Sequence, residues 1–89
     1  FASSLTTSDV FWINGRAPSE PFSCHAKVRY RQADQACTVN RSEDRYEVHF
    51  EQPQRAITPG QSVVFYQDEE CLGGGVIETV YNRVAAAAQ

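Results

Sequence analysis

The sequence predicts an all-β fold, a small antiparallel barrel of about six strands. Two segments, residues 22–30 and 45–51, alternate between apolar and polar side chains, which is the period of a strand with one buried face. Turn-forming residues such as Asn14-Gly15 and Pro59-Gly60 separate the apolar segments at about ten-residue spacing. Only the terminal alanines, residues 85–88, favour a helix, and they are too few to form a stable one alone.

Six segments are predicted to form the strands, and each lies between turn signals. In chain order they are residues 10–13, 22–30, 36–39, 45–51, 63–66 and 76–81. Alternation places Phe11 and Trp12 on opposite faces of the first strand, and Cys37 with Val39 on one face of the third. Closing so small a sheet into a barrel leaves the fewest exposed strand edges. We expect residues 1–81 to form this barrel and residues 82–89 to be a flexible or weakly helical tail.

The composition is that of one small globular domain. The chain has 89 residues, 42% hydrophobic and 21% charged, which is ordinary for a folded protein and enough for one core. No apolar run approaches the ~20 residues of a membrane span and no signal segment opens the chain, so we expect a cytoplasmic protein without membrane contact. Because it starts at Phe1 and contains no methionine, we expect it to be part of a longer protein.

A basic stripe is the clearest candidate for nucleic-acid binding, although the net charge of -3 argues against a surface that binds nucleic acid throughout. Its residues alternate along the predicted second strand and its continuation: His25, Lys27, Arg29 and Arg31, with Tyr30 adding an aromatic ring. Such a stripe fits a phosphate backbone, but about three contacts would assist an RNA interface rather than form one. The same residues fit a solvated strand face that pairs with Glu47 and Glu51 on a neighbouring strand.

The run Gly73-Gly74-Gly75 is predicted to be a strand bulge or a site of close backbone contact. A phosphate-binding loop would need a helix N-terminus after it, and β-branched residues follow instead.

The three cysteines are predicted to be structural, reduced thiols. Their spacing matches neither zinc-ligand nor CxxC patterns, and Cys24 and Cys37 lie at inward positions. Cys71 is expected to be a packed small side chain, because an exposed thiol beside the acidic turn at residues 68–70 would have its thiolate suppressed, which disfavours a nucleophilic role. The two histidines lie on outward strand faces without a third ligand, so no metal site is expected.

The turn Pro59-Gly60-Gln61 is the remaining candidate. A rigid Pro-Gly turn would hold the Gln61 amide, both a donor and an acceptor, in a defined position. The same residues also fit a turn with no other role.

Three linked segments resemble the C-terminal domain of bacterial tRNA-specific 2-thiouridylases. They are residues 26–32 (AKVRYRQ), 56–66 (AITPGQSVVFY) and 71–78 (CLGGGVIE), with Trp12-Ile13 and Gln52-Pro53 as further matches, and the resemblance runs from about Leu5 to Glu78. It implies a β-barrel similar to those of translation elongation factors.

The resemblance also implies tRNA contacts at Arg29, Tyr30 and Gln61. Lys27 and Arg31 are added as further phosphate contacts from the basic stripe alone. Strict alternation sends Arg29 and Tyr30 to opposite faces, so both reach RNA only if the strand twists or ends there.

The activity implied by the resemblance is that of a tRNA-uridine 2-sulfurtransferase. In such enzymes ATP, with Mg²⁺, activates the wobble uridine U34 in tRNAs for Lys, Glu and Gln, and a cysteine persulfide supplies the sulfur of 2-thiouridine. The adenylation loop and the catalytic cysteines belong to an N-terminal domain. This chain is therefore expected to dock tRNA, to hold no cofactor and to be inactive alone.

Two other functions stay open from the sequence. The first is a β-barrel interaction module that docks a sulfur-carrier protein or neighbouring domains through its apolar surface. The second is a free-standing thiol enzyme that uses Cys71.

Overall fold

The computed structural model of the protein describes residues 2–19, 21–28 and 33–81. Within these ranges the fold is all-β, as predicted, and eight antiparallel strands form one sheet. The strands are β1 (Ala2–Thr7), β2 (Val10–Trp12), β3 (Phe22–Lys27), β4 (Gln35–Ser42), β5 (Arg45–Gln54), β6 (Ser62–Gln67), β7 (Glu70–Val76) and β8 (Thr79–Tyr81). No described segment is a helix long and apolar enough to cross a membrane.

The sheet curls so that its two end strands come together. Its order is β2-β7-β6-β3-β4-β5-β1-β8, with β2 and β8 at the ends. The pairs β1–β8 and β2–β7 share one register. Thr6 lies opposite Thr79, and Val10, four residues after Thr6, lies opposite Gly75, four residues before Thr79. Between the two pairs, the Glu78 N–H donates to the Thr6 carbonyl oxygen at 2.8 Å. The first and last strands therefore run side by side along one seam, and the sheet has a barrel-like shape.

The core fills the inside of this curl. Five inward apolar side chains from four strands have 0% of their surface exposed: Leu5, Val39, Val48, Val63 and Phe65. Burying each such side chain stabilises the fold by about 1.5–3 kcal/mol relative to leaving it in water.

Trp12 forms the aromatic centre of this core. Its ring stacks on Phe65, with 5.8 Å between centroids, and meets the rings of Phe22 and Tyr46 edge-on. The Trp12 Nε1–H donates to the Tyr46 hydroxyl at 3.2 Å, so the buried indole keeps a hydrogen-bond partner.

The predicted strand faces are confirmed where the structure describes them. Phe11 is 75% exposed whereas the neighbouring Trp12 is 9% exposed, and Cys37 and Val39 are both buried. The predicted strand at 22–30 is confirmed as far as Lys27, where β3 ends. The tail at 82–89 lies outside the described residues, so its conformation stays a prediction.

The structure has eight short strands where about six were predicted. The sequence of β1, ASSLTT, holds one large apolar residue and therefore gave no strand signal. Its threonines are nevertheless buried, because the Thr6 hydroxyl bonds to that of Thr79 and the Thr7 hydroxyl donates to the Asp9 carbonyl at 3.0 Å. If β1 with β2, and β7 with β8, are each counted as one bent strand, about six strands surround the core.

The triple glycine lies inside β7, not before a strand as the turn signals indicated. A Cβ added at Gly73 would lie 2.1 Å from the Phe11 carbonyl oxygen, and one at Gly75 would lie 2.4 Å from the Asp9 carbonyl oxygen. Side chains are excluded here because the backbone of β7 approaches that of residues 9–11 too closely. The predicted close backbone contact is confirmed.

Gly75→Ala is expected to lower the free energy of unfolding by about 2–4 kcal/mol, because the new methyl group must displace backbone. Gly15→Ala is the control: nothing lies within 4 Å of its Cβ, and its φ of 85° adds strain of about 1 kcal/mol. Urea unfolding followed by Trp12 fluorescence compares the two variants. Equal losses would contradict the close-packing explanation.

Candidate nucleic-acid interface

One end of the sheet holds the predicted tRNA contacts that the structure describes. β3 ends there at Lys27, β4 begins there at Gln35, and β6 begins there just after Gln61. The register fixes this arrangement, because Ala26 pairs with Gln35 and Lys27 pairs with Val64. We call this end, defined by Lys27, Gln35 and Gln61, the β3–β6 end.

Gln61 closes its own turn through both backbone and side chain. Its N–H donates to the Thr58 carbonyl at 3.3 Å, and its Oε1 accepts from the Thr58 N–H at 3.0 Å. Gly60, with φ of 94°, supplies the left-handed conformation that the turn needs. The Gln61 Nε2 has no hydrogen-bond partner in the described part of the chain. The sequence predicted that both the donor and the acceptor of the Gln61 amide would be available to a ligand. In the structure the acceptor, Oε1, is used by Thr58, and the donor, Nε2, has no partner among the described residues.

The turn is fixed to the segment that follows β7. The Gly60 N–H donates to the Ile77 carbonyl at 2.9 Å, and the Ile77 N–H donates to the Gln61 carbonyl at 2.8 Å. Ile77 is itself 2% exposed and belongs to the core. The backbone of Gln61 is therefore anchored, and its side-chain amide, whose Nε2 has no partner among the described residues, is held in a defined position by the bond to Thr58.

Lys27 lies at the same end of the sheet, opposite Val64 on β6. Its Nζ is 5.8 Å from the centroid of the Tyr66 ring, a cation–π distance, and no described residue forms an ion pair with it. The predicted alternative partners, Glu47 and Glu51, are on β5, which β4 separates from β3. The Oε1 atom of Glu47 instead lies 3.4 Å from the Nε2 atom of His49 on the same strand. Among the described residues, no carboxylate competes with a phosphate for the Lys27 ammonium group.

Arg29, Tyr30 and Arg31, the other predicted contacts, lie outside the described residues. The chain leaves β3 at Lys27 and enters β4 at Gln35, both at the β3–β6 end. Inward and outward side chains alternate along β3, which ends at Lys27, so this alternation does not determine the directions of Arg29 and Tyr30. The contacts of these three residues stay predictions.

Sequence reasoning missed a buried amide at the same end. Gln54, the last residue of β5, is 5% exposed, and its Nε2 donates to the Gln52 carbonyl at 2.6 Å and to the Gln35 Oε1 at 3.4 Å. Gln35 Nε2 in turn donates to the Ala33 carbonyl at 3.0 Å. These bonds hold the backbone where the chain enters β4. The inward residues of β5 have even numbers, and continuing this alternation past Phe50 would have pointed to Gln54 as an inward residue.

Cys24 and Cys37 form a buried thiol pair opposite each other on β3 and β4. Their Sγ atoms are 3.7 Å apart, and the predicted inward positions are confirmed. A hydrogen bond with Cys24, together with burial, raises the pKa of the Cys37 thiol, whereas the same hydrogen bond lowers the pKa of Cys24. Cys71, predicted to be a packed side chain, is half-buried. Among the described residues, no three potential metal ligands come together.

Comparison with known proteins assigns this β-barrel domain to a family. Residues 2–77 match the family described as the Aminomethyltransferase beta-barrel domain, and the chain belongs to it. The chain is similar to the tRNA-specific 2-thiouridylase MnmA of Pseudomonas entomophila, with 58% identity over 79 residues, 89% of this chain and 21% of that protein. The predicted resemblance to 2-thiouridylases is confirmed.

Other relatives with the same name match a similar fraction of this chain and of their own length. The enzyme of Pseudomonas fluorescens is 56% identical over 78 residues, covering 88% of this chain and 21% of its own length. That of Marinomonas sp. is 51% identical over 84 residues, covering 93% and 22%. The chain spans about a fifth of the length of these relatives.

Gln61→Ala is expected to lower the free energy of unfolding by about 1 kcal/mol, since the Thr58 N–H loses its acceptor. Gln61→Glu keeps an oxygen at that position and should lose less. Urea unfolding of both variants measures the difference. If the two variants were equally stable, the side-chain bond would have no part in holding the turn.

Cys37 is expected to react with iodoacetamide at neutral pH about a hundredfold more slowly in the folded chain than in urea. The thiolate is the reacting form, and both the raised pKa and the 1% exposure of Cys37 suppress its attack. Mass spectrometry of peptides from timed reactions gives the rate at each cysteine. Labelling of folded Cys37 as fast as Cys71 would contradict the buried thiol pair.

Proposed function

We propose that this chain is the tRNA-docking domain of an ATP-dependent tRNA 2-thiouridylase, which converts the wobble uridine U34 to 2-thiouridine. The supporting relatives, 51–58% identical, carry the name tRNA-specific 2-thiouridylase. The geometric observation that carries the proposal is the β3–β6 end, which holds the anchored amide donor of Gln61 and the Lys27 ammonium group, and neither forms an ion pair or donates a hydrogen bond to another described residue. Both groups donate to oxygen atoms of the kind that line a nucleic-acid backbone.

The domain contributes binding and leaves the chemistry to the rest of the enzyme. Its buried thiol pair is shielded from solvent, and Cys71 lies outside the β3–β6 end, so no described cysteine is offered to a tRNA base there. Activation of the uridine by ATP and Mg²⁺, and sulfur delivery from a persulfide, are assigned to residues outside this chain. The substrates proposed for the whole enzyme are the tRNAs for Lys, Glu and Gln in the cytoplasm, with a sulfur-carrier protein as a further partner.

Each contact residue has a distinct role in this proposal. Gln61 donates its free Nε2–H to a phosphate or ribose oxygen, while its Oε1 keeps the turn closed. Lys27 offers its ammonium group to a phosphate, and Arg29 makes a charge-assisted phosphate contact, with Arg31 as an additional one. Tyr30 stacks on a base or donates its hydroxyl group.

Arg29→Ala and Gln61→Glu in the full-length enzyme are each expected to raise the Kd for tRNA by about tenfold. The first loses a charged contact, whereas the second loses the Nε2 donor and adds a carboxylate near phosphate while keeping the turn. Filter binding measures Kd, and formation of 2-thiouridine measures activity.

Matched controls separate this effect from a general change of charge. Arg16→Ala removes an exposed arginine from the loop before β3, and Asn40→Asp adds a carboxylate at an exposed position of β4, away from the β3–β6 end. Both should bind tRNA like the unchanged enzyme. Removing Arg29 should also make the salt dependence of log K shallower by about 0.7–0.9. Unchanged tRNA binding and thiolation in both test variants would refute the proposal.

A further inference from the structure

Large apolar side chains are exposed on the outer surface of β2 and β7. Phe11 is 75% exposed, Val76 is 57% exposed, and Ile13, just after β2, is 56% exposed. Single exposed apolar residues are normal on soluble domains, but a contiguous group of large ones marks an interaction surface.

The strand register places these side chains on one surface. Phe11 on β2 and Val64 on β6 both lie opposite Gly74 of β7, so the three positions face the same side. Val76 is two residues beyond Gly74, and Ile13 is two residues beyond Phe11, so both share that side. We call the surface formed by Phe11, Ile13, Val64 and Val76 around Gly74 the Phe11 face.

The centre of the Phe11 face carries no side chain. A Cβ added at Gly74 would lie 2.8 Å from the Val63 carbonyl oxygen, so the packing of β6 against β7 keeps this position empty. The outward surface between Phe11 and Val64 is consequently open to an apolar side chain of a partner.

The charges around the Phe11 face favour a protein partner over RNA. Asp9, before β2, and Glu70, at the start of β7, are both exposed, and exposed Arg16 lines the same cavity as Glu70, so the carboxylates outnumber the cation among these three residues and disfavour a phosphate. Lys27 pairs with Val64 and bounds the face on the side of the β3–β6 end. The apolar surface therefore begins where the candidate tRNA contacts end.

We propose that the Phe11 face packs against the rest of the polypeptide in the full-length proteins that carry this domain. The chain matches 21% of the relative from Pseudomonas entomophila, so about four-fifths of that protein lies outside the match. A segment tethered in the same polypeptide meets the face at an effective concentration of about millimolar, which no separate protein matches at ordinary abundance. The proposal rests on the family relationship and not on the tRNA contacts, so either can fail without the other.

The test places a photo-crosslinking amino acid at position 11 of the full-length protein, in the absence of RNA. After irradiation, mass spectrometry of the digest identifies the joined peptides. The control position is Asn40, which is exposed on β4, a strand that β6 and β3 separate from β7. We expect position 11 to join residues outside this domain within one polypeptide, with a yield about tenfold above that of position 40.

Three results would overturn the proposal: a crosslinked dimer, a crosslink to a different protein, or a yield at position 11 equal to that at position 40. A dimer would assign the Phe11 face to a second copy of the chain. Phe11→Asp gives an independent readout, because Phe11 is exposed in this domain and is not needed for its core. This variant should speed proteolytic cleavage between the domain and the remainder by about tenfold, and Asn40→Asp should not.

Discussion

The close approach of β7 to residues 9–11, in β2 and just before it, is the constraint on which the rest of the structure depends. Gly73 and Gly75 lie so near the carbonyl oxygens of Phe11 and Asp9 that no side chain fits between the backbones. This contact lets the first and last strands share one register, which brings the two ends of the sheet together. Trp12, directly opposite Gly73, can then turn its ring inward onto Phe65. Sheet curvature and core packing thus have one origin.

The same seam determines where the candidate site lies. β7 continues from its glycines through Val76 to Ile77, whose backbone exchanges hydrogen bonds with Gly60 and Gln61. Gln61 is therefore tied, through a few residues of extended chain, to the close backbone contact at Gly73 and Gly75. A local turn acquires a fixed position because it is bonded to the seam, and rigid placement is what a directional hydrogen bond to RNA requires.

Most of the fold could be predicted from the sequence because alternation records which side of a strand is buried. Strands β3 and β5 have clear alternation, and their inward residues are those expected. β1 could not be predicted, since buried Thr6 and Thr7 satisfy their hydroxyl groups through partners that are distant in sequence or lie in the following turn. At the site, the Pro-Gly turn identified Gln61, but its internal bond to Thr58 depends on geometry that composition does not encode. The buried Gln54 was missed for the same reason.

A domain of net charge -3 can contribute to tRNA binding only through a few directed contacts, because long-range attraction grows with the number of phosphates neutralised. One anchored amide and a small group of cations bind weakly when the domain moves freely. Their contribution rises when the domain is held in a fixed orientation to other tRNA contacts, since its binding step then becomes intramolecular. An apolar face beside the β3–β6 end would provide that orientation, and Lys27 stands at the boundary between the two surfaces. In the proposed arrangement, apolar packing on one side fixes the orientation of the sparse polar groups on the other, and this orientation supports tRNA binding that the net charge does not.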